Sequence, residues 1–160
     1  MSEPWTLINI DGQSRPLRFN GTAFRDFEVA YARSIGVPEY PFGKVIRRYF
    51  DNDTNFEVVT SYNLLAHILW AGLKWRWTTL QVEQVLTMLS EFEEGGGDLL
   101  TDVWGPLSQA WLATGMFKHL IKKAGDEARA GNREAETKTP GSDFPSSASV
   151  SAPGTSAQPA

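Results

Sequence analysis

The sequence predicts a mainly α fold with a small N-terminal β-hairpin (α+β), four to five helices and a disordered C-terminal tail. Three observations predict it. An alternating apolar run near the start is cut by Asp11-Gly12 and answered by a second run. Apolar side chains then recur three and four positions apart as far as the Met116–Ile121 cluster. Beyond that cluster the composition turns charged and polar, then rich in Pro, Ser, Ala and Gly. The domain is therefore placed at 1–125 and the tail at 126–160.

Thr6-Leu7-Ile8-Asn9-Ile10 alternates and is rich in β-formers. Asp11-Gly12 suits a two-residue turn, which needs positive φ at both central positions. Pro16-Leu17-Arg18-Phe19 returns with Leu17 and Phe19 on one face, and Pro16 marks an edge strand. A lone hairpin is marginal in water, so this one must lean on helices. Asn20 or Thr22 caps a helix over about 22–34, with Phe24, Phe27, Tyr31 and Ile35 at helical spacing. Gly36 and Pro38 stop it. After the loop Val37–Gly43, Lys44–Phe50 reads as a short helix or a strand, ended by Asp51-Asn52-Asp53.

The stretch Thr60–Leu73 is a helix with Leu64, Leu65, Ile68 and Leu69 on one face. Thr78 or Thr79 caps the next, whose stripe is Leu80, Val82, Val85, Leu86 and Leu89, up to Phe92. Gly95-Gly96-Gly97 breaks it. Asp98–Lys123 carries Leu99, Leu100, Val103, Leu107, Trp111 and Leu112 at helical spacing. Pro106 either kinks this helix or opens a second one, and Gly115 is a further weak point. The tail has Phe144 as its one aromatic and cannot bury enough apolar surface to offset ordering its backbone.

The totals exclude several function classes. There are 15 Lys+Arg against 19 Asp+Glu, a formal net charge of −4, and neither 1–125 nor 126–160 is net basic. Binding to nucleic acid by bulk counterion release is not expected. The absence of cysteine removes disulfides, Fe–S clusters, thiolate zinc sites and a Cys nucleophile. Met1-Ser2-Glu3-Pro4 shows no cationic region followed by an apolar run, so no secretory signal is expected, and no apolar stretch of about 18 residues occurs, so no membrane span is expected.

Little else carries chemistry. His67 and His119 are far apart and read as ordinary partly buried or surface histidines. Asp51-Asn52-Asp53-Thr54-Asn55 lacks the central Gly and the distal Glu of a calcium loop and reads as a helix-ending turn. Glu91, Glu93 and Glu94 oppose the helix dipole, so that helix end should fray. Gly95–Gly97 has no preceding strand and no following Gly-Lys-Ser/Thr, so it is a hinge and not a phosphate loop. No Ser–His–Asp signature appears. No catalytic residue, cofactor or metal is therefore assigned.

Trp70, Trp75 and Trp77, with Lys74 and Arg76 between them, are the most unusual local feature. Rings two residues apart cannot both face one core from a helix. Either the segment is extended or one ring is exposed. Packing between helices, a protein interface with Trp and Arg anchors, and stacking on single-stranded nucleic acid all use such residues. The acidity of the chain argues against the last. Trp70, Trp75, Arg76 and Trp77 are the candidate partner-binding residues.

With that order of elements, the chain resembles the phage tail assembly chaperones, in the version of long-tailed phages and gene transfer agents. The resemblance covers roughly residues 5–125 and rests on three pieces. The first is the hairpin ending in Pro16-Leu17-Arg18-Phe19-Asn20 with a helix centred on Phe27-Glu28. The second is Asn63-Leu64-Leu65-Ala66-His67-Ile68-Leu69-Trp70-Ala71-Gly72-Leu73, an apolar helix ending in a small-Gly-Leu step. The third is the helix start Thr79-Leu80-Gln81-Val82-Glu83-Gln84-Val85. Lys74-Trp75-Arg76-Trp77 departs from the family, which has a short acidic loop there.

The resemblance implies a non-catalytic role: binding the aggregation-prone tape-measure protein and helping recruit tail tube protein subunits during tail assembly. It implies no cofactor, no nucleic acid and no membrane, leaves self-association open, and places the work in the host bacterial cytoplasm, with the chain absent from the mature virion. Such proteins often have a longer frameshifted form, and Lys122-Lys123 is where adenine-rich codons would allow slippage. The alternative is another phage structural component, such as a head–tail adaptor or tail completion protein. A small enzyme is the third class and would need a pocket of converging ionisable groups.

Overall fold

The computed structural model describes residues 6–119 together with 122, 123 and 126. The chain divides into two units, Met1–Ile121 and Lys122–Ala160. The first holds every element described below. In the second, Lys122, Lys123 and Asp126 are helical and exposed. The disorder expected for the tail lies outside the described residues.

The hairpin and its turn form as expected, but the returning strand starts at Gln13, directly after the turn, and ends at Leu17, before Arg18 and Phe19. Strands β1 (Thr6–Ile10) and β2 (Gln13–Leu17) pair antiparallel with Ile10 opposite Gln13, which leaves Asp11 and Gly12 as the turn. Their φ angles are 51° and 74°, the left-handed pair that a type I′ turn requires. Arg15 closes the turn by donating from its guanidinium to both Asp11 carboxylate oxygens, at 2.7 and 3.2 Å. Ile8, Ile10, Leu17 and Phe19 are buried, so one face of the ribbon lies on the helices.

Helix α1 (Gly21–Ile35) is capped by Asn20, whose side chain accepts from the Ala23 amide at 2.9 Å. It ends at Gly36, left-handed at φ 72°, where the Val37 and Gly36 amides donate to Ala32 and Arg33. This paired closure needs a residue tolerant of positive φ. Ile35 leaves the predicted stripe and is 40% exposed, because it sits at the last helical position. The segment read as helix or strand is helix α2 (Phe42–Phe50), and its stop at Asp51 is an Asx-type turn, with the Asp53 amide donating to Asp51 Oδ1 at 3.1 Å. A short helix α3 (Asn55–Val59), not anticipated from the sequence, follows directly.

Helix α4 (Tyr62–Leu73) starts two residues later than predicted, because Ser61 caps it through the Leu64 amide at 3.2 Å. It is the central element: Leu64–Leu69, Ala71, Gly72 and Leu73 are all buried, with α1, α3, α5, α6 and β2 around it. Helix α5 (Val82–Glu94) is capped at Gln81 and not at Thr78 or Thr79. The Gln84 side chain accepts from the Gln81 amide at 2.8 Å, a link three residues long that outcompetes a threonine cap farther upstream. The helix runs to Glu94 despite its acidic end.

The helical stretch expected over Asp98–Lys123 is divided, and Pro106 opens a second segment, one of the two outcomes expected for it. Leu99–Trp104 is π-helical, with the Gly105 amide reaching back to Leu100, and α6 covers Gly105–Leu112. Pro106 lacks an N–H and sits in the first turn of α6, so the α-type ladder cannot run through it. The change of pitch rotates the apolar positions. Val103, Trp104, Leu107 and Trp111 are buried, whereas Leu100 and Leu112 are exposed.

Aromatic residues knit the core. Phe42 lies 4.7 Å from Phe24, 5.2 Å from Phe27, 5.1 Å from Trp111 and 5.6 Å from Phe117, mostly in tilted or edge-on contacts. The hairpin is fixed to α4 at one close approach. The Arg18 amide donates to the Gly72 carbonyl at 2.9 Å, and the Phe19 ring lies so near that a Cβ on Gly72 would meet its Cζ at 2.7 Å. The Gly of the small-Gly-Leu step is thus a packing requirement.

Candidate protein-interaction site

The Trp-rich segment is the end of α4 and the turn into α5. The amides of Arg76 and Trp77 both donate to Leu73, and that of Leu80 donates to Trp77. The chain is therefore tightly turned here and not extended. Each indole has a separate task. Trp70 Nε1 donates to the Leu80 carbonyl at 2.8 Å and pins the far end of the turn to its helix. Trp75 Nε1 donates to the Pro16 carbonyl at 3.2 Å, a residue 59 positions away on β2. Trp77 is partly buried against the core.

Cations cover the rings. Lys74 Nζ lies 4.7 Å from the Trp70 ring centre and 3.6 Å from Asp26 on α1. Arg18 lies 5.8 Å from the Trp75 ring, and Arg15 and Arg76 lie 4.7 and 5.6 Å from that of Trp77. Of the four residues singled out from sequence, Trp70 and Trp77 are half-buried, Arg76 is exposed and Trp75 is 36% exposed. Arg15 and Arg18 complete the face from the hairpin, and nothing local in the sequence linked them to it. The product is a rigid aromatic and cationic surface, the residue types that dominate protein interfaces.

A concave feature lies between α3–α4 and the π-helical segment. It is a cleft of about 370 Å³ with Val59, Leu65, Leu99 and Leu100 as apolar walls and Tyr62, Glu93 and Asp98 as polar lining. Tyr62 Oη donates to the Glu93 carboxylate, which pushes the phenol up to about 12. Asp98 is held below its ordinary range by the Thr101 hydroxyl and then by backbone N–H groups, with the Leu100 amide at 3.0 Å.

His67 is buried at 5% exposure beneath the Tyr31 ring. Its Nδ1 lies 2.7 Å from the Asn63 carbonyl oxygen, which can only accept, so Nδ1 carries the hydrogen. Burial lowers its pKa, against smaller raising effects from that bond and from Glu83. Among the described residues no group of three or more His, Asp or Glu side chains is placed to hold a metal ion, and no helix is long and apolar enough to cross a membrane. Compared with known proteins, the chain matches no protein-family profile, no curated sequence and no solved structure.

Proposed function

We propose that the chain is a non-catalytic assembly chaperone that binds the tape-measure protein of a phage-type tail and helps recruit tail tube subunits. It would act in the bacterial cytoplasm and leave before the particle matures. The sequence resemblance supports this reading, and one structural observation carries it: an indole, Trp75, stands at the surface on a turn clamped to the hairpin, with Arg18 over its ring and Arg76 over the neighbouring Trp77. A pre-ordered Trp–Arg face loses little side-chain entropy on binding. It can receive an apolar helical client and hold it out of solution.

The test is co-expression of the tape-measure protein with the parent chain and with Trp75→Ala. The parent should raise the client's soluble yield, and the variant should lose most of that gain while remaining folded, its own thermal midpoint lowered only as far as loss of the Pro16 bond requires. An unchanged client yield with both proteins well expressed would refute the reading. So would stoichiometric retention of the chain in purified virions, which points to a head–tail adaptor or completion protein.

A further inference from the structure

The two most exposed large hydrophobic side chains among the described residues are Phe56, at 72%, and Leu100, at 57%. Leu100 lines the cleft between α3–α4 and the π-helical segment. Phe56 precedes the lining residue Val59 by three positions on α3, hence on the same helix face. Exposed apolar side chains flanking an apolar depression mark a docking site more than scattered exposure does. The depression is also roomy. A dry cavity of about 150 Å³ takes a benzene ring, so about 370 Å³ accepts two bulky side chains.

Its walls are held in place without a ligand. Trp104 Nε1 donates to the Val59 carbonyl at 3.1 Å, Tyr62 is bonded to Glu93, and Asp98 caps the first turn of the π-helical segment. Charge then selects the occupant. Between Arg76 and Lys118 the chain holds Glu83, Glu91, Glu93, Glu94, Asp98 and Asp102 and neither lysine nor arginine. Among the described residues none of these six joins an ion pair. Of these, Glu93 and Asp98 line the cleft, whose lining holds no lysine or arginine, so it is apolar in its walls and acidic at its edge, opposite in sign to the Trp75 face.

We propose that this cleft docks a basic amphipathic helix of a partner protein. Its Leu or Phe side chains enter between Val59 and Leu100, and its lysines or arginines meet Glu93 and Asp98. The site differs from the Trp75 face and does not depend on the identity of the client bound there.

The test titrates the full chain with a synthetic amphipathic Leu/Lys peptide and with a Leu/Glu twin of equal length and spacing, reading affinity and backbone amide shifts. The Leu/Lys peptide should bind, with shifts concentrated at 56–62 and 97–101. Leu100→Ser and Phe56→Ser keep the charge and remove only exposed side chains, and each should weaken binding about tenfold, the size of a modest interface anchor. Trp75→Ala should leave this binding unchanged. Equal affinity for the two peptides, undiminished binding by both serine variants, shifts centred on Trp75–Trp77, or no binding of the Leu/Lys peptide at all would each overturn the proposal.

Discussion

The turn from α4 to α5 and the turn from α5 to the π-helical segment solve one problem in opposite ways. Each reverses the chain after a long helix. The first contains Trp75 and Trp77, and its indoles reach the hairpin through Pro16 and Arg15. The second is Gly95-Gly96-Gly97, where the Phe92 ring covers Gly97 and a cleft stays open beside it. Large side chains with a polar tip can staple a turn to distant elements, because each supplies contact area and one directional bond. Glycines supply neither. The difference shows why one turn presents an aromatic, cationic surface and the other leaves a concave one with Glu93 and Asp98 in its lining.

The largest expected effect tests the cleft side. Trp104 is 1% exposed and clasps Val59, so Trp104→Ala should cost about 3–5 kcal/mol in denaturant unfolding. A loss no larger than that of an exposed substitution would mean the π-helical segment is not anchored by this ring. A smaller effect tests the hairpin side. Gly72→Ala forces a methyl group into the Phe19 ring and should cost about 1–3 kcal/mol. Phe19→Leu should recover part of that loss in a double-mutant cycle, whereas strict additivity would show that the two residues do not meet.

The smallest effect is a pH dependence shared by both regions through α4. Burial holds the native pKa of His67 below the ordinary 6.5. Above 6.5 neither state binds the proton and stability is flat. As pH falls through 6.5 toward the native value the unfolded chain gains the proton first, so stability declines. Unfolding free energies measured across that window should show a step that His67→Gln abolishes. An unaltered step would assign it to the carboxylates.

Much of the fold was legible because its signals are short-range. Asp11-Gly12, Asn20 and Gly36 each act within four positions, and each does in the structure what its chemistry implies. The α4 stripe was equally plain, since burial around the whole helix leaves a nearly continuous apolar run. The misplaced features depend on competition. Thr78 and Thr79 are good caps, yet Gln81 and Gln84 lie closer to the first helical amides. Leu100 fits a 3.6-residue period, but the turn containing it has a wider pitch. Of the candidate site, Trp70, Trp75, Arg76 and Trp77 could be named from sequence, but neither Arg15 and Arg18 nor which ring would face outward.

By itself, the amino-acid sequence determined the hairpin turn at Asp11-Gly12, the cap and stop of α1 at Asn20 and Gly36, and that helices would dominate, because these choices are settled among neighbouring residues. The tertiary structure decided that Trp77 packs inward while Trp75 stands out, and that Arg15 and Arg18 join them. It also decided that an apolar cleft remains between α3 and the π-helical segment. Burial and cation–π contact are properties of pairs brought together from distant positions, and only the packed chain specifies those pairs.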